Sequence, residues 1–239
     1  LHKLIADCPP QGMVFFGGAG VSTESGIPDF RSTSGLFNSR YPYPPEEIVS
    51  HHFFNENPQA FYEFYFDRMI APDARPNAAH IALANLEAEG KCRAVITQNI
   101  DGLHQAAGSK NVLELHGSVH RNHCMNCGHT FALDEMIARH QASTDGVPRC
   151  DCGGIIKPDV VLYDEPLDEA VMEQALEALE QASLLVVGGT SLVVYPAAGM
   201  LRAFRGSHLA VVNLSPTSVD SQADLCISAK VGEVFSKLS

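Results

Sequence analysis

No apolar run in this chain approaches the ~18 residues that a helix needs to cross a bilayer. Leu1 to Asp7 sets an acid inside a short apolar stretch, which argues against a secretory signal. Basic residues are scarce: Lys and Arg number 16 against 28 Asp and Glu, a formal charge of −12. Nucleic acid or an anionic membrane would need clustered Lys and Arg, so neither is expected as the main partner. No Gly-x-Ser-x-Gly occurs, so the local mark of a Ser-His-Asp hydrolase is missing. Repeats and low-complexity tracts are also absent. What is present is 239 residues with 45% apolar and 18% charged content, ordinary for a globular enzyme with a sizeable core. Of seven cysteines, four lie in close pairs and three are scattered, which suits a reduced, cytoplasmic setting with one metal site better than a disulfide framework.

Apolar runs that end in small or polar residues organise the chain. Met13–Phe16 leads into Gly17-Gly18, Ala94–Ile96 into Thr97-Gln98-Asn99, Leu184–Val187 into Gly188–Ser191, and Leu209–Val212 into Asn213. Such runs fit strands of a parallel sheet buried on both faces. Helical patterns lie between them at 77–89 and 167–182, with a third expected at 196–204. Ligands of such sheets sit at the carboxyl ends of the strands, so the four polar ends are expected to share one crevice. The aromatic stretch Phe61 to Phe66 reads as a helix packing inward.

After the first run comes Gly18-Ala19-Gly20-Val21-Ser22-Thr23-Glu24-Ser25-Gly26-Ile27-Pro28-Asp29-Phe30-Arg31. A glycine loop between strand and helix brings backbone N–H groups close to phosphate oxygens. The dinucleotide fingerprint would place its third glycine at position 23, where this chain has Thr23. The loop then runs into a proline, a carboxylate, an aromatic ring and a guanidinium, which suggests handling of a nucleotide's reactive end as well as its phosphates.

Cys124-Met-Asn-Cys127 and Cys150-Asp-Cys152 are each followed by glycine. Two thiolate pairs make a tetrahedral site suited to Zn²⁺. Four thiolates leave no position for a bound water, so this zinc would be structural. His123 and His129 flank the first pair as alternative ligands. Gln98-Asn99-Ile100-Asp101-Gly102-Leu103-His104 and Leu113-Glu114-Leu115-His116-Gly117 supply the catalytic candidates. His116, between a short apolar run and a glycine, is the better base, and His104 reads as structural.

Together these stretches resemble the sirtuins, NAD-dependent protein-lysine deacylases, in a compact bacterial-type form. The match runs through Gly18–Arg31, Thr97–His104, Leu115-His116-Gly117, the four cysteines, Gly189-Thr190-Ser191 and Val212-Asn213, in the family's order. The resemblance implies an α/β fold: a Rossmann-like parallel sheet with helices on both faces, a small zinc-binding lobe and a helical insert. Residues 1–31, 77–118 and 158–239 would form the NAD-binding domain, 32–76 the cofactor loop and helical insert, and 119–157 the zinc lobe. It implies consumption of NAD, with the acyl group transferred to ADP-ribose; protein mono-ADP-ribosyl transfer is the alternative.

By the same resemblance His116 is the base, and Asn99 and Asp101 order the ribose and the nicotinamide amide. Ile100 belongs to the nicotinamide pocket, and Gln98 meets the nicotinamide ribose. Ala19, Gly20, Thr23 and Arg31 line the phosphates, and Phe30 shields the reactive carbon. Gly189, Thr190 and Ser191 serve the phosphate and adenosine side. Asn213 binds the adenosine ribose, and Lys230 and Val231 lie near the adenine. Acyl-lysine peptides would pair with Val160-Val161-Leu162-Tyr163, and the enzyme would be a monomer.

Three departures stand out. Tyr163-Asp164-Glu165 replaces the family's Phe-Gly-Glu, which puts a carboxylate beside the groove and suggests a preference for basic peptides. Gly17 stands where a threonine is usual. In relatives that remove succinyl or malonyl groups a Tyr-x-x-Arg precedes Pro-Asn-Ala-Ala-His; here Tyr62 matches the tyrosine but Tyr65 stands at the arginine, with Arg68 expected to face elsewhere. A buried acyl carboxylate would then lack a partner, so acetyl or longer neutral groups are expected over succinyl.

Overall fold

The computed structural model describes residues 1–29 and 42–238. In chain order they form α1 (His2–Asp7), β1 (Met13–Gly17), α2 (Pro45–Ile48), α3 (His51–Glu56), α4 (Pro58–Phe64), α5 (Ala78–Ala88), β2 (Cys92–Thr97), α6 (Leu103–Ala107), β3 (Val112–Glu114), β4 (Gly117–Cys124), β5 (Thr130–Phe131), α7 (Leu133–Ala142), β6 (Ile156–Val160), α8 (Glu169–Gln181), β7 (Leu184–Gly188), β8 (His208–Val212), β9 (Leu225–Ile227) and α9 (Val231–Phe235). Six strands make a parallel sheet in the order β3-β2-β1-β7-β8-β9.

Side chains alternate across a strand, so consecutive apolar residues feed two cores at once. Met13 and Phe15 of β1 point to the face covered by α1, α5 and α9, where Ile5, Leu83 and Phe235 are buried. Val14 and Phe16 point to the opposite face, under Ala175 and Leu179 of α8. All five residues of β1 and of β7 are buried. The two longest helices, α5 and α8, are each capped at the N-terminus by a side chain. Asn77 Oδ1 accepts from the N–H of Ala79 at 2.9 Å, and Asp168 Oδ1 accepts from that of Val171 at 2.9 Å.

The third expected helix is instead a run of 3₁₀ turns at Ala197–Ala203, with Gly199 in its middle. Gly17 ends β1, and the Phe15 ring stands 2.6 Å from where its Cβ would be, so a side chain there would displace that ring.

A second sheet, β5-β4-β6, is antiparallel. It shares one core with the preceding helices: Phe54, Phe61, Tyr62, Phe64 and Tyr65 pack with Val119, Phe131, Met136 and Ile156. The aromatic stretch is thus inward-facing, as its pattern suggests. Among the described residues no helix is long and apolar enough to cross a membrane.

Candidate functional site

The carboxyl ends of β1, β2, β7 and β8 open into one cavity of about 680 Å³, lined by Gly18, Gln98, Asn99, Gly189, Thr190 and Asn213 among others. Its floor is backbone against backbone. The N–H of Gly20 donates to the carbonyl of Gly189 at 2.8 Å, and a Cβ on Gly20 would lie 2.8 Å from Gly189 Cα. Gly189 itself has φ +59°, a left-handed conformation that glycine adopts freely. Ala19, Thr23 and Ser191 also line the cavity. The Thr23 hydroxyl is tied back to the Gly20 carbonyl at 3.0 Å, and Gln98 Nε2 donates to Thr190 Oγ1 at 2.9 Å.

Asn99, Ile100, Asp101 and His116 line the same space. A hydroxyl that sequence reasoning passed over holds the first and third together. Ser22 Oγ donates to Asp101 Oδ2 at 2.6 Å and accepts from Asn99 Nδ2 at 3.0 Å. Asp101 Oδ1 also accepts from the N–H of Leu103 at 2.9 Å, at the start of α6. His116 Nδ1 lies 2.9 Å from the Gln98 carbonyl. A carbonyl only accepts, so Nδ1 carries the proton and Nε2 is left as the basic nitrogen. Burial lowers the His116 pKa, partly offset by the bond to Gln98, which keeps the ring neutral.

Asn213, Lys230 and Val231 line the cavity beyond β8 and β9. Glu24 reaches across to them: its Oε2 accepts from the N–H of Gly232 at 2.7 Å, in the first turn of α9. Val160, Val161, Leu162 and Tyr163 form the opposite wall. The N–H of Tyr163 donates to the Val49 carbonyl at 3.0 Å, and its own carbonyl accepts from the N–H of His51 at 2.9 Å. One edge of this wall is therefore already paired. Phe30 and Arg31 lie outside the described residues. Arg68 lines the cavity rather than facing away from it, with Nε 2.7 Å from Asp67 Oδ2. Tyr62 turns inward and donates to the Ile156 carbonyl, and Tyr65 is fully buried.

Other residues gain meaning only from the fold. Asn77 Nδ2 donates to the Val21 carbonyl at 2.8 Å and to Ser25 Oγ at 2.9 Å, so the cap of α5 also ties down the glycine loop. The signal was an Asn three residues before His80. His104 is buried in the core as expected, its ring 4.7 Å from that of His80. The sulfurs of Cys124, Cys127, Cys150 and Cys152 all lie within 4.8 Å of one another and could hold a metal ion. His123 turns to Asp159 and His129 packs on Phe131, so neither belongs to that group.

The Sir2 family model matches residues 18–196. The NAD-dependent protein deacetylase of Clostridium acetobutylicum is 54% identical over 238 residues, covering 98% of this chain and 95% of that protein. The protein of the same name from Clostridium perfringens is 56% identical, covering 95% and 93%. Among solved structures, a Sir2–p53 peptide–NAD+ complex aligns with TM-score 0.85 at 39% identity, covering 99% of this chain and 94% of that one. A Sir2 variant with deacetylated p53 peptide and 3′-O-acetyl ADP ribose aligns with TM-score 0.89 at 38% identity, covering 98% and 94%.

Proposed function

Because the chain belongs to the Sir2 family, we propose that it is an NAD-dependent protein-lysine deacylase, both transferase and hydrolase, acting on acetyl or longer neutral acyl groups. The observation that carries this reading is the meeting of Asn99, Asp101 and His116 in one cavity floored by Gly20 and Gly189. NAD enters as a consumed co-substrate: its ribose C1′ would exchange nicotinamide for the acyl carbonyl oxygen, a ribose hydroxyl would take the acyl carbon, and one water would complete the release of free lysine and O-acyl-ADP-ribose.

The chain's own residues bind, orient and move protons. The glycine loop with Ala19 and Thr23, and Gly189, Thr190 and Ser191 across from it, hold the phosphates through N–H and hydroxyl groups. Asn213, Lys230 and Val231 receive the adenosine end. Asn99 and Asp101, braced by Ser22, orient the nicotinamide ribose and amide, with Ile100 against the ring and Gln98 at the ribose. His116 Nε2 takes the proton from the ribose hydroxyl, and its neutral state fits that task. That base also favours deacylation over ADP-ribosyl transfer, which has no need of it. Phe30 and Arg31 keep the roles that the resemblance implies.

Acyl-lysine substrates lie against Val160–Tyr163. The four cysteines hold one structural zinc: all four ligands are protein thiolates, and the Asn126 N–H lies 3.4 Å from Cys124 Sγ, the kind of second contact that fixes a ligand sulfur. Residues 1–31, 77–118 and 158–239 act as the NAD-binding domain beside the insert 32–76 and the zinc lobe 119–157. The cysteines, free in the structure, and the charge of −12 fit a monomer working in the cytoplasm without nucleic acid.

The test is an NAD-dependent assay on a mixed acyl-peptide panel, following nicotinamide and O-acyl-ADP-ribose together. Both products in equal amounts are expected. No nicotinamide release with any acyl-peptide would overturn the reading.

A further inference from the structure

Asp164 sits on the rim of the cavity with φ +72°, in the left-handed region that favours glycine. A side chain held in such a conformation at a groove points to a role for it there. The loop that carries it is fixed on both sides. Tyr163 is paired through its N–H and carbonyl to Val49 and His51, and the N–H of Glu165 donates to the Leu162 carbonyl at 3.1 Å.

The two adjacent acids differ in how their charge is met. Glu165 is compensated inside the protein: Oε1 lies 2.7 Å from His51 Nδ1, and Oε2 lies 3.1 Å from Lys157 Nζ and accepts from the N–H of Leu162 at 2.8 Å. The Asp164 carboxylate is exposed and has no hydrogen bond or ion pair among the described residues. Tyr163, next to it in the chain, is 37% exposed and lines the same cavity. An extended peptide crossing this rim therefore meets one fixed, uncompensated negative charge.

Resting on the deacylase reading, we propose that Asp164 is a specificity-determining residue, selecting peptides that carry Arg or Lys beside the acyl-lysine. Arg, whose planar fork matches a carboxylate, is the better of the two. The pair is solvent-exposed, so its effect is modest and screened by salt.

Acetyl-lysine peptides that differ only in one flanking residue, Arg or Glu, are compared with the wild type and with Asp164→Asn. Asn removes the charge yet tolerates the left-handed backbone. Two readouts are taken, kcat/KM for deacetylation and direct binding of the labelled peptides by fluorescence anisotropy. The wild type is expected to favour Arg over Glu about fivefold, in KM and Kd rather than kcat. The ratio should fall below about twofold in Asp164→Asn and in the wild type at about 0.5 M salt. An equal ratio in the wild type and Asp164→Asn, or no ratio in the wild type, would overturn the proposal. If binding shows the Asp164-dependent ratio but no peptide is turned over, the selection stands and the deacylase reading fails. If all peptides are turned over alike, the reverse holds.

Discussion

The Ser22 hydroxyl donates to Asp101 Oδ2 at 2.6 Å, joining the loop after β1 to the loop after β2. Since Asn99 Nδ2 donates to the Ser22 Oγ at 3.0 Å, one hydroxyl sets two of the proposed nicotinamide-site side chains at once. Ser22 is fully buried, so water cannot readily replace it. Ser22→Ala is expected to lower kcat/KM for NAD by about 10- to 100-fold through misplacement of these groups. Its cost in stability should be only about 1–3 kcal/mol, read from denaturant unfolding. Unchanged kinetics would show that Asn99 and Asp101 hold their places unaided.

His116 is kept neutral by burial, with the Gln98 carbonyl partly opposing that shift. The rate of deacetylation should fall on the acid side through a value below the ordinary imidazole pKa of about 6.5. His116→Ala is expected to abolish that limb along with about 10²- to 10⁴-fold of the deacylation rate. A pH profile of kcat/KM for both proteins decides it.

His80 and His104 form a second, internal pair. His80 Nδ1 accepts from the N–H of Asn77 at 3.2 Å, which requires it unprotonated. Burial pushes both pKa values down, that of His104 to about 3 with His80 adding to the effect, while Asp101 opposes the shift at His80. Below about pH 6.5 the unfolded chain binds protons at these sites and the folded chain does not, so stability is lost as pH falls. Each site contributes a slope of up to about 1.4 kcal/mol per pH unit, and His116 adds in the same sense. His104→Leu should flatten the dependence of Tm on pH between about 4 and 6. An unaltered slope would mean that other groups govern acid unfolding.

Purified protein is expected to carry about one zinc per chain, and Cys150→Ser to lose it. Cys150 is buried in the same cluster as Phe54, Phe61 and Tyr62. Metal loss should therefore loosen the aromatic packing as well, read as a weaker near-ultraviolet circular dichroism signal and a lower Tm. Full metal content in Cys150→Ser would place the ion elsewhere.

In an acyl-peptide panel, desuccinylation should run at least about tenfold below deacetylation, because a buried carboxylate without a free cation is costly. Arg68 does line the cavity, but Asp67 already engages its guanidinium. Comparable rates for the two acyl groups would show that Arg68 exchanges partners.

The sheet was legible because its strands are buried on both faces, so that β1 and β7 appear as unbroken apolar runs followed by glycine. The polar strand ends follow those runs directly, and the cysteine pairs are close spacings in the chain, so neighbouring residues alone revealed both. Ser22 was not, because its partners lie 77 and 79 residues away and meet it only through the pairing of β1 with β2. The contact of Ser50 with Tyr163 likewise joins segments with no shared pattern. Arg68 was misplaced because the helix counted from Pro76 changes pitch: Tyr65–Met69 is a π-helical turn, which shifts the direction of every side chain after Phe64.

Gly20 and Gly189 meet with no side chain between them, across a gap that a single methyl group would close. Most paired positions in a protein can drift together, a larger residue on one side answered by a smaller one on the other. Here both partners are already at the lower limit of size, so neither has anything to give up. The junction can be kept or lost, with no intermediate steps, and selection acting on it has only purification available.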